Sequence, residues 1–147
     1  MVVRPYIETD FQAVCLIYLD AKRDELAFER SDFLITPLDQ DAAIRAAFNE
    51  STVLVFDSGE ILGFSAAFDG QLRALFVHSS ARGRGVGAAL LNAVLAEATQ
   101  GLSLNVAKSN AGARRFYEEH GFAAVGEMVR QYGGQDVLYL QMRRESM

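Results

Sequence analysis

The chain of 147 residues contains no tryptophan, one cysteine, two prolines and two lysines, and each scarcity removes a class of protein. A single cysteine, Cys15, set in the apolar stretch AVCLIYL, gives no disulfide framework and no paired-thiolate metal motif. A reducing cytoplasm is the expected compartment, and Cys15 is expected to be buried. Two histidines, His78 and His120, read as isolated surface residues, so no metal site is expected. Pro/Gly/Ser tracts, low-complexity segments and repeats are missing, so residues 1–147 are read as one domain. No window approaches the roughly 18 apolar residues of a membrane helix. The N-terminus MVVRPYIETD lacks the basic start and apolar core of a leader, so no membrane partner and no processing are expected. Concentrated positive charge is missing too. The twelve arginines are spread along the chain, with local groups such as 82/84 and 114/115, and the net charge is −5, which argues against a nucleic-acid partner.

Half of the residues are apolar, enough for a real core in one domain of this length. Their patterning predicts a mixed α/β sheet. Val2–Ile7 reads as a strand, Asp10 as the cap of a helix running through Phe28, and Pro37–Asn49 as a second helix after a loop carrying Phe33 and Ile35. The runs TVLVF, ILGFSAAF and LRALFV are joined by DSGE and DGQ, turn chemistry that predicts an antiparallel meander over Thr52–Val77. A helix over Arg84–Thr99 then leads to the alternating strand LSLNV, the order of a parallel crossover. A short helix over Ala111–His120 has Asn110 at its start and Gly121 past its end, and two final strands flank YGGQ.

The stretch ARGRGVGAALL lies past the strand LRALFV and opens the crossover helix. Glycines there permit close approach of a ligand, and a helix N-terminus offers unpaired N–H groups to a phosphate or pyrophosphate. Arg82 and Arg84 add charge, while a tight turn on a solvated surface is the plainer account. The Walker pattern fails for want of Lys-Ser or Lys-Thr after the glycines. Gly83, Gly85 and Ala88 satisfy G-x-G-x-x-G/A literally, but Asn105 stands where a dinucleotide site needs an acidic residue. Dinucleotide binding is thus an alternative.

The two blocks LRALFVHSSARGRGVGAALLNAVLAEA and NVAKSNAGARRFYEEHGF together resemble the GNAT superfamily of N-acetyltransferases, as a small bacterial-type single-domain member. Arg82, Gly85 and Gly87 match its pyrophosphate loop, Q/R-x-x-G-x-G/A, and the resemblance spans about half of the chain, Leu72 to Phe122. It implies an acyl-CoA N-acyltransferase fold whose central strands splay, and an enzyme that moves an acetyl group from acetyl-CoA to a primary amine by direct attack. The acceptor is a small-molecule amine or a protein amine, and the protein a monomer or homodimer. A non-catalytic acyl-CoA-binding module that senses cofactor level is the other class of reading.

The resemblance also implies the site. Backbone N–H groups of Val77 and Leu75 would bond the pantetheine and acetyl carbonyls, with Phe76 between them in the cofactor-binding strand end, and Arg82, Gly83, Arg84, Gly85, Val86 and Gly87 would hold the pyrophosphate. Asn110 would cap its helix and bind the arm, with Phe116 packed beside it or toward the core. Tyr117 matches the family's general acid for the departing thiolate. A phenol of pKa about 10 is protonated at neutral pH. The plain reading of Tyr117 is a packed ring. Asn105, facing away from Leu104, is read either as lining the cleft beside the thioester or as a solvated strand-end residue. An amine of pKa about 10.4 is neutral in about one molecule in 2,500 at pH 7, so a base or a desolvating pocket is needed. QLRALFV carries no glutamate, which leaves Asp24, Glu25 and Glu29, or a water chain, as candidates. The acidic residues of DAKRDELAFERSD favour a cationic acceptor such as a polyamine, an aminoglycoside or a lysine side chain.

Overall fold

The computed structural model describes residues 2–29, 35–132 and 134–146, so Phe33 of the expected loop lies outside the described residues. Seven strands form one sheet in the order β1-β2-β3-β4-β5-β7-β6: β1 (Val2–Pro5), β2 (Thr52–Asp57), β3 (Ile61–Phe68), β4 (Gln71–Val77), β5 (Leu102–Ala107), β6 (Ala123–Tyr132) and β7 (Gln135–Arg144). Every neighbouring pair is antiparallel except β4 and β5, the expected crossover pair. Four α-helices cover the faces: α1 (Phe11–Glu25), α2 (Ala42–Glu50), α3 (Val86–Glu97) and α4 (Ala111–Glu119).

The period-2 alternation of the strands sorts the core into two layers. Val53, Val55, Phe64 and Ala66 face α1 and α2, packing on Val14, Ile17, Tyr18, Leu38 and Phe48. On the opposite face, Phe56 and Leu62 pack on Val86 and Leu90 of α3, and Leu72, Leu102 and Leu104 on Leu91, Val94 and Tyr117. Gly63 makes the close approach of α3 possible. A Cβ there would stand 2.9 Å from Phe76 O, 3.0 Å from Val86 Cγ1 and 3.2 Å from Leu90 Cδ1. Two of these contacts are backbone or stiff β-branched groups, so the helix would have to move. Gly63→Ala is therefore expected to destabilise the fold by about 1–3 kcal/mol, read as a lower denaturant midpoint at unchanged slope.

Several helix boundaries differ from the sequence expectation for local reasons. Asp10 makes no cap bond to α1 and instead closes a 3-10 turn, Glu8–Asp10, by accepting from Ile7 N at 2.9 Å. Its two oxygens also take Arg4 Nη1 and Nη2, both at 2.9 Å, tying β1 to the start of α1. That guanidinium, followed by the Ile7 bond, holds the Asp10 carboxyl below the usual carboxylate range against the opposing effect of burial. Helix α1 stops at Glu25, because Leu26 turns to pack with Ala107, Val137 and Tyr139 while Phe28 is left exposed. The second helical stretch begins as a 3-10 turn, Leu38–Gln40, and restarts as α2 where the Asp41 carboxylate accepts from Ile44 N at 3.1 Å. Helix α3 starts at Val86 because Gly85, at φ +80°, is left-handed.

Strands β4 and β5 touch only at their beginnings, where Gln71 faces Ser103 and Leu72 faces Leu104. The cause lies on the other side of β4. Ala66 pairs with Ala74 and Ala67 with Leu72, so Arg73 is an extra, bulged residue. A bulge bends its strand and raises the local twist. Here it turns β4 away from β5 immediately past the last paired residue and opens a gap in the middle of the sheet.

Candidate active site

The gap is the floor of a cleft of about 960 Å³, lined from both faces of the sheet by Leu75, Phe76 and Val77 of β4 and by Leu104, Asn105 and Val106 of β5. His78 N donates to Leu62 O at 2.9 Å, which fixes which groups of β4 point toward β3. In an antiparallel ladder that direction alternates, so the N–H groups of Leu75 and Val77 turn toward the gap that β5 has vacated. These are the two backbone donors that the family resemblance implies.

The glycine loop forms the mouth of the cleft. Gly83 and Gly85 sit at φ +76° and +80°, and nothing lies within 4 Å of where their Cβ atoms would be. The first helical bond of this turn runs from Ala89 N to Gly85 O at 3.0 Å. The N–H groups of Val86, Gly87 and Ala88 therefore have no carbonyl behind them, as at any helix start. Gly87 lies against Val77 and Phe116, where a Cβ would meet both at 3.6 Å. Of the predicted loop residues, Arg82, Gly83, Gly85, Val86 and Gly87 line the cleft. Arg84 does not, because its Nη2 turns back to Ser80 O at 3.3 Å. Arg82 is paired with Asp24 and lies 3.9 Å from Asp20, and Asp20 also accepts from Ser79 N and Oγ at 2.8 and 2.9 Å. The loop is thus anchored to α1 by its own basic residue.

Helix α4 supplies the third wall. Asn110 caps it, with Oδ1 accepting from Ala113 N at 3.2 Å, and lines the cleft with Phe116 and Tyr117. The Tyr117 ring is 9% exposed and packs edge-on against Phe116 and Phe122. The residue lines the cleft, and its hydroxyl has no hydrogen-bond partner among the described residues. Burial, and after it the charge of Glu25, pushes the phenol well above its usual value. His120 is half-buried rather than a free surface residue, stacked on Phe116 at 4.5 Å with Nδ1 2.8 Å from Phe116 O. Cys15 is half-buried in the α1 layer, and burial raises its thiol.

The far end of the cleft is polar, and most of it goes unread in the sequence. Lys22 Nζ donates to Glu25 Oε2 at 2.8 Å and to Tyr132 Oη at 3.2 Å. Tyr139 Oη donates to the same Glu25 oxygen at 2.8 Å. Burial pulls the Lys22 ammonium down, but Glu25 and Tyr132 more than offset it and hold it charged. Asn105 belongs to this end. With its amide oxygen toward Arg130, it accepts from Arg130 Nη2 at 3.2 Å. Of the three acidic candidates, Asp24 is engaged by Arg82 and Glu29 by the Ser109 hydroxyl, while Glu25 faces the cleft with Oε1 free of protein partners among the described residues. The signal for Arg130 and Tyr139 was the final hairpin. The pairing register of its two strands puts Met128, Arg130 and Tyr132 on one face with Val137 and Tyr139.

A mixed sheet parted beside its single parallel pair, with a glycine turn and helix start at the opening, defines an acyltransferase-type α/β domain rather than the doubly wound sheet of a dinucleotide site. The sequence model of the Acetyltransferase (GNAT) family matches residues 14–122, and the chain belongs to that family. A GCN5-related N-acetyltransferase from Rhodopseudomonas palustris superposes with a TM-score of 0.77 at 19% identity, over 98% of this chain and 94% of that one. Ribosomal-protein-alanine N-acetyltransferase from Brucella melitensis gives 0.75 at 23% identity, over 99% of each chain. The yncA protein from Salmonella typhimurium, solved with its cofactor acetyl-CoA, gives 0.72 at 19% identity, over 98% of this chain and 92% of that one. No curated protein matches the chain in sequence. Among the described residues no helix is long and apolar enough to cross a membrane, and no group of three or more metal-ligating side chains is assembled.

Proposed function

We propose that the protein transfers an acetyl group from acetyl-CoA to the amine of an acceptor by direct attack, with the donor in the cleft between β4 and β5. The observation that carries this reading is the gap itself: a strand bulged at Arg73, leaving the Leu75 and Val77 N–H groups facing an opening that ends at a glycine turn with open space at Gly83 and Gly85. Those residues suit a pantetheine arm and a pyrophosphate. Leu75 and Val77 would bond the arm, joined by Asn110, and the N–H groups of Val86, Gly87 and Ala88 the phosphates, as helix starts hold anions. When bound, acetyl-CoA supplies the thioester whose carbonyl is attacked and whose thiolate leaves.

The chain's own side chains then handle two protons. Glu25 accepts the proton that the amine loses as its nitrogen bonds to the acyl carbon, using the Oε1 that neither Lys22 nor Tyr139 occupies. Tyr117 Oη donates toward the sulfur as the carbon–sulfur bond breaks. Asn105, on the same sheet face as Ala107 and Tyr139, lines the cleft on the Glu25 side. The test is calorimetric titration with acetyl-CoA, CoA and NADH in one buffer. Binding of both CoA species and not of NADH is the expected result, followed by thiol release in an amine screen. Binding of NADH alone would overturn the reading.

A further inference from the structure

A second cavity of about 540 Å³ opens from the polar end of the cleft and shares Lys22, Phe76 and Arg130 with it. Its walls are largely apolar and aromatic, contributed by Tyr18, Leu38, Phe48, Phe64 and Phe76. The charges around the two spaces are already engaged, with one exception. Lys22 is matched by Glu25, Arg73 by Glu50 at 2.6 Å, and Arg82 by Asp24, while Asp41 caps α2. Arg130 has no carboxylate within 4 Å among the described residues. Its guanidinium carbon lies 5.0 Å over the Tyr139 ring, and among the described residues its side chain has one polar contact, the neutral amide oxygen of Asn105 at 3.2 Å with that amide turned toward it. A planar guanidinium held by stacking, with most of its N–H fork unused, is preorganised for a carboxylate. Of the acidic residues on and just after α1, Asp24 and Glu25 are ion-paired with Arg82 and Lys22, while Asp20 and Glu29 hold the hydroxyls of Ser79 and Ser109.

We propose that the acceptor is amino-acid-like: an amine joined to an apolar or aromatic body and a carboxylate, with Arg130 binding the carboxylate. This rests on the acetyl-transfer reading and names its acceptor class. The Tyr139 ring spans the two recognition points, its hydroxyl on Glu25 at 2.8 Å and its face under Arg130. One phenol therefore sets the distance between the group that takes the amine's proton and the group that takes the carboxylate, and the body lies in the aromatic cavity.

The test compares phenylalanine, leucine and methionine with their amides and their decarboxylated amines as acceptors. The free amino acids are expected to give a kcat/KM at least about tenfold above their carboxylate-free partners, the discrimination of one charge-assisted pair. Arg130→Gln should remove that preference mainly through KM, and Arg130→Lys should restore part of it. A second readout needs no turnover: 3-phenylpropionate, and not 3-phenylpropanol, should raise the Tm of the protein alone and of its CoA complex, and Arg130→Gln should abolish the rise. Equal or better use of the decarboxylated amines, without stabilisation by 3-phenylpropionate, overturns the proposal. So does an Arg130→Gln enzyme that loses kcat for all amines alike or loses affinity for acetyl-CoA, which would make the arginine structural or a donor residue. Failure of acetyl-CoA to bind the native protein instead strikes the parent reading, because the 3-phenylpropionate arm is read without it.

Discussion

Gly85→Glu is expected to weaken acetyl-CoA binding by at least about 100-fold while leaving a folded protein. Position 85 is left-handed, at φ +80°, so any side chain there carries backbone strain of about 1–2 kcal/mol. No atom lies within 4 Å of its Cβ position, so the new side chain meets open space and not the core. The strain lowers the melting temperature without abolishing the fold. Binding suffers for a different reason. The glutamate would stand at the start of α3, beside the unpaired N–H groups of Val86, Gly87 and Ala88, where it satisfies them as a cap does and opposes a second anion. Like charges in contact cost several kcal/mol, and 100-fold is about 2.7 kcal/mol. Gly85→Ala separates the two effects: it carries the strain without the charge, so its affinity is expected to fall several-fold only. Calorimetric titration of both variants reads the difference, and Gly85→Glu binding within tenfold of the native affinity would place the donor elsewhere.

The parts of this site that a reader of the sequence can find are those fixed within a few residues. Asn110 caps α4 because its side chain reaches the N–H three residues on, and the glycines of the loop are placed by a left-handed turn that no other residue adopts freely. The alternation of LSLNV gives the two faces of β5, and its pairing with β7 puts Asn105 opposite Gln141. What local chemistry cannot specify is pairing. Asp10 has the credentials of a helix cap, but Arg4 and Ile7 N claim its carboxylate, and no pattern in the sequence predicts that competition. The bulge at Arg73 exists only relative to β3, and it is the bulge that opens the cleft. Likewise the charged face of α1 reads as solvated. Lys22 and Glu25 become half of a buried polar cluster only when Tyr132 and Tyr139, more than a hundred positions away, are brought over them.

Tyr117→Phe is expected to lower kcat by about 100-fold, to leave the acetyl-CoA dissociation constant within about threefold, and to leave stability nearly unchanged. The combination follows from where the hydroxyl is. The ring fills a core position between Phe116 and Phe122, and phenylalanine keeps that packing. The hydroxyl makes no hydrogen bond to the protein among the described residues, so its removal strands no partner and costs little or no stability. A residue retained for packing alone would therefore show no kinetic cost at all. Burial raises this phenol above the ordinary value near 10, so the donating form is fully present throughout the range in which the enzyme would be assayed. An alkaline fall in rate below about pH 10 consequently has to come from another group. The raised value also makes the phenol a poor acid in the resting state. Its contribution is then a hydrogen bond that strengthens as charge gathers on the departing sulfur, and one such preorganised donor is worth about 10²–10³ in rate. Single-turnover measurement on the two proteins reads the chemical step directly. An unchanged rate constant in Tyr117→Phe would remove the tyrosine from the mechanism and leave the sulfur to be protonated by solvent.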